Sequence, residues 1–389
     1  MVESSAAALS FQGLIVPNPS VERGHRATLL YSTKRANTLY YATRDNLIFL
    51  DTANPLMSKV YASHHARITS IAENPKTGRL AFGDEAGLVT ALTLKQDGTF
   101  NEDKTYPFIS GELNQVLWSE DGLRIVGVGA GTDLKANAVT ADTGSKSGTI
   151  LGFTATQLCS DLGKSGKKNV LFTAGEGNEV LVHEGYPFKG QGKSLGAVHS
   201  NFVNQLKFSK DNTKIFTVSS DKSIVMYDPE EQAVKAKLDG AHDMGIYDGR
   251  WLQNNNTCFA TCSADNTIKL WDVSNPEGIE HKDTLLLHDK ARKTSKQILG
   301  MAETPDGENL TVVTLGADLA FFNGVTSAAD KHPSAWTKHH HNLISDICSF
   351  GKHVVYSSES RVYYFDTSDE SYRVSHVCKL PAQNNILQI

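Results

Sequence analysis

The chain repeats itself, and that repetition constrains its fold more than any other feature. "VNQLKFSKDNTKIFTVSSDKSIVMYD" (Val203–Asp228) and "IYDGRWLQNNNTCFATCSADNTIKLWD" (Ile246–Asp272) share one layout. A short run of alternating character is followed by a polar turn, a second run, a second turn and a third run. The turn "KDNTK" matches "QNNNT", "TVSSDKSI" matches "TCSADNTI", and "VMYD" matches "KLWD". Weaker copies begin at Ala27, Ala66, Leu113, Lys168, Ile298 and Leu343. The chain therefore holds eight units, at roughly the 40–45-residue spacing of propeller blades.

A three-strand meander leaves an apolar face and open edges that it cannot bury alone. Arranging the copies radially covers the faces and leaves only short edges. The sequence thus predicts an all-β chain forming a single closed β-propeller of seven or eight blades over residues 26–376. Residues 1–25 form an amino-terminal segment able to serve as a ring-closing strand, and 377–389 a carboxy-terminal tail. With 389 residues and 40% hydrophobic content, the chain can fill such a core.

Charge narrows the function. Lys and Arg number 38 against 43 Asp and Glu, a net −5, with no polybasic run. Neither nucleic acid nor an anionic membrane is an expected partner. No apolar stretch approaches the ~20 residues of a spanning helix. The start, "MVESSAAALSFQGLIV", has Glu3 and no basic region, so it does not read as a secretory signal. Five cysteines are scattered, and Cys258 and Cys262 lack a matching pair at zinc-finger spacing. Buried thiols in a reducing compartment, the cytoplasm, are expected rather than a metal site. "KHHHN" (Lys338–Asn342) falls where other copies carry a single blade-opening His.

"SADNTIKLWD" offers the residue types of a hydrolase triad together with a nearby His. The same set recurs in the preceding copy, whereas a catalytic triad occurs once, so the trio reads as structural. "GVGAGTD" (Gly127–Asp133) opens no helix, and just before "FKGQGKSLG" Pro187 stands where a phosphate loop ending in Gly192-Lys193-Ser194 needs its first glycine. No nucleophile–base pair stands outside the repeat, so no enzyme and no cofactor are predicted. The unit resembles the WD40 repeat. That resemblance implies an Asp in the second turn bonded to a blade-opening His. The His in turn contacts a Ser or Thr on the second strand, whose hydroxyl meets a Trp on the third. Here it assigns His242, Ser263, Asp265 and Trp271, and in the preceding blade His199, Ser219, Asp221 and Tyr227.

Four stretches are not generic propeller sequence: "NPSVERG" (Asn18–Gly24), "HEGYPFK" (His183–Lys189), "HSNFVNQLKFSKDNTKIFT" (His199–Thr217) and "GAHDMGIYDGRW" (Gly240–Trp251). In this order they resemble the amino-terminal propeller of the actin-interacting protein 1 family, WD-repeat partners of ADF/cofilin. The resemblance runs from about Pro17 to Asp366. It implies a non-enzymatic protein of the actin cytoskeleton that binds filaments and ADF/cofilin and promotes filament disassembly. The family's contact surface falls on Asp133, Glu176 and Phe202, although pattern alone reads Phe202 as a first-strand core residue. A second family aromatic falls on Gly190, with Phe188 nearby as a substitute. The family carries two propellers and this sequence covers one. Its amino-terminal unit is expected either to complete an eighth blade or to mediate a homodimer. The other expectation is a general WD40 interaction scaffold that has changed partners.

Overall fold

Each repeat copy folds because alternating β-branched and aromatic residues meet turns built for them. In blade 5 the turn "KDNTK" puts Asn212 in the left-handed region (φ 59°), while Ser209 Oγ donates to Asp211 at 2.7 Å. In blade 6 Asn266 takes the same conformation (φ 70°) between the second and third strands. The structure, a computed structural model, describes residues 16–62, 66–95, 98–252, 256–275, 278–287, 297–324 and 331–336. It also describes the strand backbones at 344–350, 353–358, 361–366 and 374–379.

The blades follow one another without interruption in sequence. Blade 1 comprises Leu29–Tyr31, Thr38–Thr43, Asn46–Asp51 and Lys59–Ala62. Blade 2 comprises Ile68–Glu73, Leu80–Asp84, Leu88–Leu94 and Phe100–Pro107. Blade 3 has Leu113–Trp118, Arg124–Gly129 and Ala136–Thr140, continued outward by Gly148–Leu151. Blade 4 uses Gln157–Ser165, Lys168–Gly175, Glu179–Glu184 and Lys193–Ala197. Blade 5 is Val203–Phe208, Ile215–Ser219, Ile224–Asp228 and Ala233–Leu238. Blade 6 is Ile246–Trp251, Cys258–Ser263, Thr267–Asp272 and Glu280–Leu286. Blade 7 is Ile298–Glu303, Asn309–Thr314, Leu319–Asn323 and Ala335–Trp336.

Buried side chains gather between blades, one cluster at each of the seven junctions. One of them joins Leu29, Tyr31 and Leu39 of blade 1 to Leu299, Val313 and Leu319 of blade 7. The ring therefore closes at seven blades. The eighth repeat unit is a separate four-stranded antiparallel sheet at 344–379. The amino-terminal unit is blade 1 of this ring, so no eighth blade is needed to house it.

Inner strands are also tied to one another around the central channel. Thr28 Oγ1 donates to the Thr69 carbonyl (3.1 Å) and Thr69 to the Leu113 carbonyl. Asn114 donates to the Gln157 carbonyl at 2.8 Å, and the Ser160 N–H to Gln115 at 2.9 Å. The Phe208 N–H meets Asp161 at 2.9 Å, Asn204 the Ile246 carbonyl at 2.6 Å, and the Met301 N–H Asp248 at 3.1 Å. The Ala27 N–H closes the circle on the Leu299 carbonyl at 3.0 Å. Glycine is required beside that closure, because a β-carbon at Gly300 would stand 2.1 Å from the Ala27 carbonyl oxygen.

One strand leaves its own blade. Phe188–Gln191, between the third and outer strands of blade 4, pairs in parallel with Gly148–Leu151 of blade 3. Phe188 is thereby buried beside Val126, Val128 and Ile150, edge-to-face with Tyr186 at 5.2 Å.

Candidate interaction face

Two kinds of loop emerge on one face of the ring: those entering each inner strand, and those joining the second strand to the third. The polar relay behind this face explains how its loops are held. In blade 6, the Trp271 indole N–H donates to Thr261 Oγ1 at 2.8 Å, and Thr261 Oγ1 lies 2.8 Å from His242 Nε2. The Asp265 carboxylate at Nδ1 can only accept, so in the neutral ring Nδ1 carries the proton and Nε2 accepts from the Thr261 hydroxyl. His242 Nδ1–H then donates to Asp265 Oδ2 at 2.9 Å. Asp265 also receives the Asp243 N–H (3.0 Å) and the Thr267 hydroxyl (2.6 Å).

Blade 5 repeats the arrangement with His199 between Thr217 (2.7 Å) and Asp221 (3.2 Å). Tyr227 stands in the indole's place, and its buried hydroxyl has no hydrogen bond of normal geometry.

The relay hydroxyls are thus Thr261 and Thr217, not Ser263 and Ser219. A strand residue two places along lies on the same face but one full step further. Ser263 and Ser219 sit at the strand ends, where they cap the turns: their hydroxyls accept the Asp265 and Asp221 N–H groups at 3.1 and 3.0 Å. The imidazole reaches past them to mid-strand.

Burial keeps both imidazoles neutral, pulling His242 and His199 below their ordinary pKa although Asp265 and Asp221 oppose it. Against the opposing effect of burial, Ser223 and the Ser200 and Ser223 N–H groups bring Asp221 down to about 2. His242 and Thr267 likewise hold Asp265 well below the usual carboxylate range. Both shifts mean that the folded state binds fewer protons than the unfolded chain, so both favour folding as pH rises. The histidine contribution is complete above the unfolded value of 6.5 and is lost as pH falls below it. The carboxylate contribution is complete above the unfolded 3.8 and disappears as pH falls through about 2. Calorimetric unfolding is expected to show a midpoint that falls steadily from pH 7 to pH 3. A midpoint flat between pH 6.5 and 5 would contradict the neutral buried histidines.

The relay positions a surface. Asp221 also accepts the Ser200 N–H (2.8 Å), and the Phe202 carbonyl receives the Ser220 N–H (2.9 Å). So pinned, the loop entering blade 5 turns Phe202 outward, 46% exposed. The expectation of a core Phe202 fails because the strand begins one residue later, at Val203. Glu176 is exposed on the neighbouring turn of blade 4.

Glu176 and Phe202 line one cavity of about 560 Å3 over the channel mouth, with Arg26, Arg67, Glu112 and Asn204. Asp133 is exposed on the same face but outside this cavity, accepting from Ser110 Oγ at 3.2 Å. Phe188 is not available as an anchor, since its strand packs it into the junction of blades 3 and 4. Gly190 occupies open surface in a left-handed conformation (φ 72°) that favours glycine.

Sequence reasoning missed the rim's main polar group. Arg67 contacts Glu22 at 2.8 Å, Glu112 at 3.0 Å and Glu85 at 3.2 Å. Its partners come from three separate segments, so no local pattern could have signalled it. Cys159, Cys258 and Cys262 are buried, and "KHHHN" lies outside the described residues. Around the Phe202 ring the cavity lining brings the carboxylates of Glu22, Glu112 and Glu176 together with the guanidinium groups of Arg26 and Arg67.

Comparison with known proteins agrees with this architecture. The family model "WD domain, G-beta repeat" matches residues 192–228 and 235–272. Actin-interacting protein 1-2 of Arabidopsis thaliana is 30% identical over 84% of this chain and 52% of its own. WD repeat-containing protein 1 of Xenopus tropicalis is 30% identical over 66% of this chain and 42% of its own. Actin-interacting protein 1 of Drosophila melanogaster is 25% identical over 83% and 51%. The chain thus spans about half the length of the curated relatives it matches. Among solved structures, the WD40 propeller domain of Doa1 superimposes with a TM-score of 0.62 at 15% identity, covering 81% of this chain and 97% of that one. A chain of the mitotic checkpoint complex gives 0.64, also at 15% identity, covering 83% and 99%. At such identities the last two speak for the fold alone.

Proposed function

The chain is a WD40 β-propeller related to the actin-interacting protein 1 family, and from that premise we propose that it is a non-enzymatic regulator of the actin cytoskeleton. In this reading it binds actin filaments together with ADF/cofilin in the cytoplasm and promotes filament disassembly. The observation that carries the reading is the meeting of Glu176 and Phe202 at one cavity mouth. An exposed aromatic ring beside a rim with more carboxylates than cations suits a protein partner that offers an apolar pocket rimmed by Lys or Arg. Asp133 contributes to the same acidic face from one blade away.

Co-sedimentation of the chain with actin filaments, with and without ADF/cofilin, tests the proposal. Cofilin-dependent pelleting, or actin released into the supernatant, is the expected result. Phe202→Ser should weaken binding by ~10-fold or more, as loss of an anchor residue does. Leu123→Ser should not, because Leu123, though 54% exposed, lies on the opposite face in the turn between the first two strands of blade 3. A chain that stays in the supernatant and leaves the actin partition unchanged would overturn the reading and favour a scaffold with other partners.

A further inference from the structure

The central channel holds a charge imbalance that the ring does not settle. Among the described residues, the cations Arg26, Lys207 and Arg250 meet the carboxylates of Asp161 and Asp248 there. Lys207 Nζ donates to Asp161 at 3.2 Å, which accounts for one pair. Arg26 Nη1 and Arg250 Nε both lean on Asp248, each at 3.7 Å. That is beyond hydrogen-bond range.

Asp248 has little left to offer them. Its Oδ1 already accepts from Gln205 Nε2 (2.7 Å) and the Gly249 N–H (2.9 Å), and its Oδ2 from the Met301 N–H (3.1 Å). Among the described residues, Arg250 Nε is buried without a hydrogen-bond partner, while its Nη2 reaches the Leu29 carbonyl at 3.4 Å. Among the described residues, nothing accepts a hydrogen bond from the Arg26 guanidinium. Two guanidinium groups therefore share one carboxylate whose Oδ1 already takes two donors and whose Oδ2 keeps a single open lone pair.

Space and field agree with this count. Arg26 lines the cavity at the channel mouth. The side chains of Arg26, Lys207 and Arg250 keep 11%, 16% and 24% exposure, so solvent reaches all three. Burial pulls the Lys207 pKa down, Asp161 opposes it, and Arg250 and Arg26 add to the fall, so the three cations act on one another. Unmatched buried charge is costly, and an anion would offset it.

We propose that the channel binds one small oxyanion, of the phosphate, sulfate or carboxylate class, against Arg26 and Arg250, with Lys207 adding to the field. A guanidinium presents parallel N–H donors that fit two oxygens of such a group. The rim limits what enters. Glu22, Glu85 and Glu112 around a single Arg67 give it a net negative charge, which disfavours extended polyanions and leaves compact ions as the ligand class.

The test is calorimetric titration of the full chain with inorganic phosphate, and separately with sulfate and acetate, at constant ionic strength. Saturable binding at one site is expected, and the ranking of the three ions identifies the preferred head group. Arg26→Gln and Arg250→Gln should each weaken binding by ~10-fold or more through loss of charge-assisted hydrogen bonds. Heats that do not saturate for any of the three ions would overturn the proposal. Unchanged affinity in both variants, with unfolding scans showing them folded, would also overturn it by placing the ion elsewhere. Should one variant fail to fold, the other and the wild-type titration still decide.

Discussion

Asp248→Ala is expected to lower the free energy of unfolding by about 3–5 kcal/mol, the range for removing one partner of a buried ion pair. Asp248 is fully buried on the inner strand of blade 6 and speaks to four blades at once. It receives Gln205 of blade 5 and the Met301 N–H of blade 7, and it sits between Arg250 of its own blade and Arg26 at the entrance to blade 1. Alanine would strand two guanidinium groups, one amide and two backbone N–H groups in the interior. Denaturant unfolding monitored by tryptophan fluorescence measures the loss, with Asp133→Ala as an exposed-carboxylate control expected to stay within about 0.5 kcal/mol. A loss below about 1 kcal/mol would show that the channel cations are balanced without Asp248.

Thr261→Val should cost about 2–4 kcal/mol, although the two side chains have nearly the same shape. The Thr261 hydroxyl both accepts from Trp271 and donates to His242, so valine leaves two buried groups without partners, at about 1–3 kcal/mol each. Ser263→Ala is the informative comparison. Its hydroxyl serves the Met244 and Gly245 carbonyls and the Asp265 N–H at a strand end, where its loss should cost only about 1 kcal/mol. Equal losses for the two variants would mean that the relay contributes no more than an ordinary turn cap.

That pair of variants also marks the limit of what the sequence disclosed. The inner three strands of each blade were legible because each alternates and each turn carries Asp, Asn or Gly at a fixed offset, as in Val203–Asp228 and Ile246–Asp272, whereas the outer strands Ala233–Leu238 and Glu280–Leu286 lie beyond the repeat as read. Their relays were legible by residue type but not by depth, since Thr261 and Ser263 share one strand face and only the reach of the imidazole separates them. Phe202 read as core because alternation carries no information about where a strand starts. Phe188 read as a substitute anchor because it stands only two residues before Gly190. Its burial depends on a parallel pairing with Gly148–Leu151, which lies far back in the chain. The Arg67 and Asp248 clusters gather residues from distant blades, and nothing local announces them.

Because every blade is contiguous, the junction between blades 7 and 1 joins the two most distant parts of the ring. Tyr31 of blade 1 meets Thr311 of blade 7 across 280 residues, hydroxyl to hydroxyl at 2.8 Å. During synthesis the other six junctions can form in order as each blade leaves the ribosome, since their partners are neighbours in the chain. The first blade alone must wait, its Leu29, Tyr31 and Leu39 face bare until the seventh arrives. The assembly line thus leaves its oldest part as the last to be sheltered, and a nascent chain is most in need of a protective companion at that end.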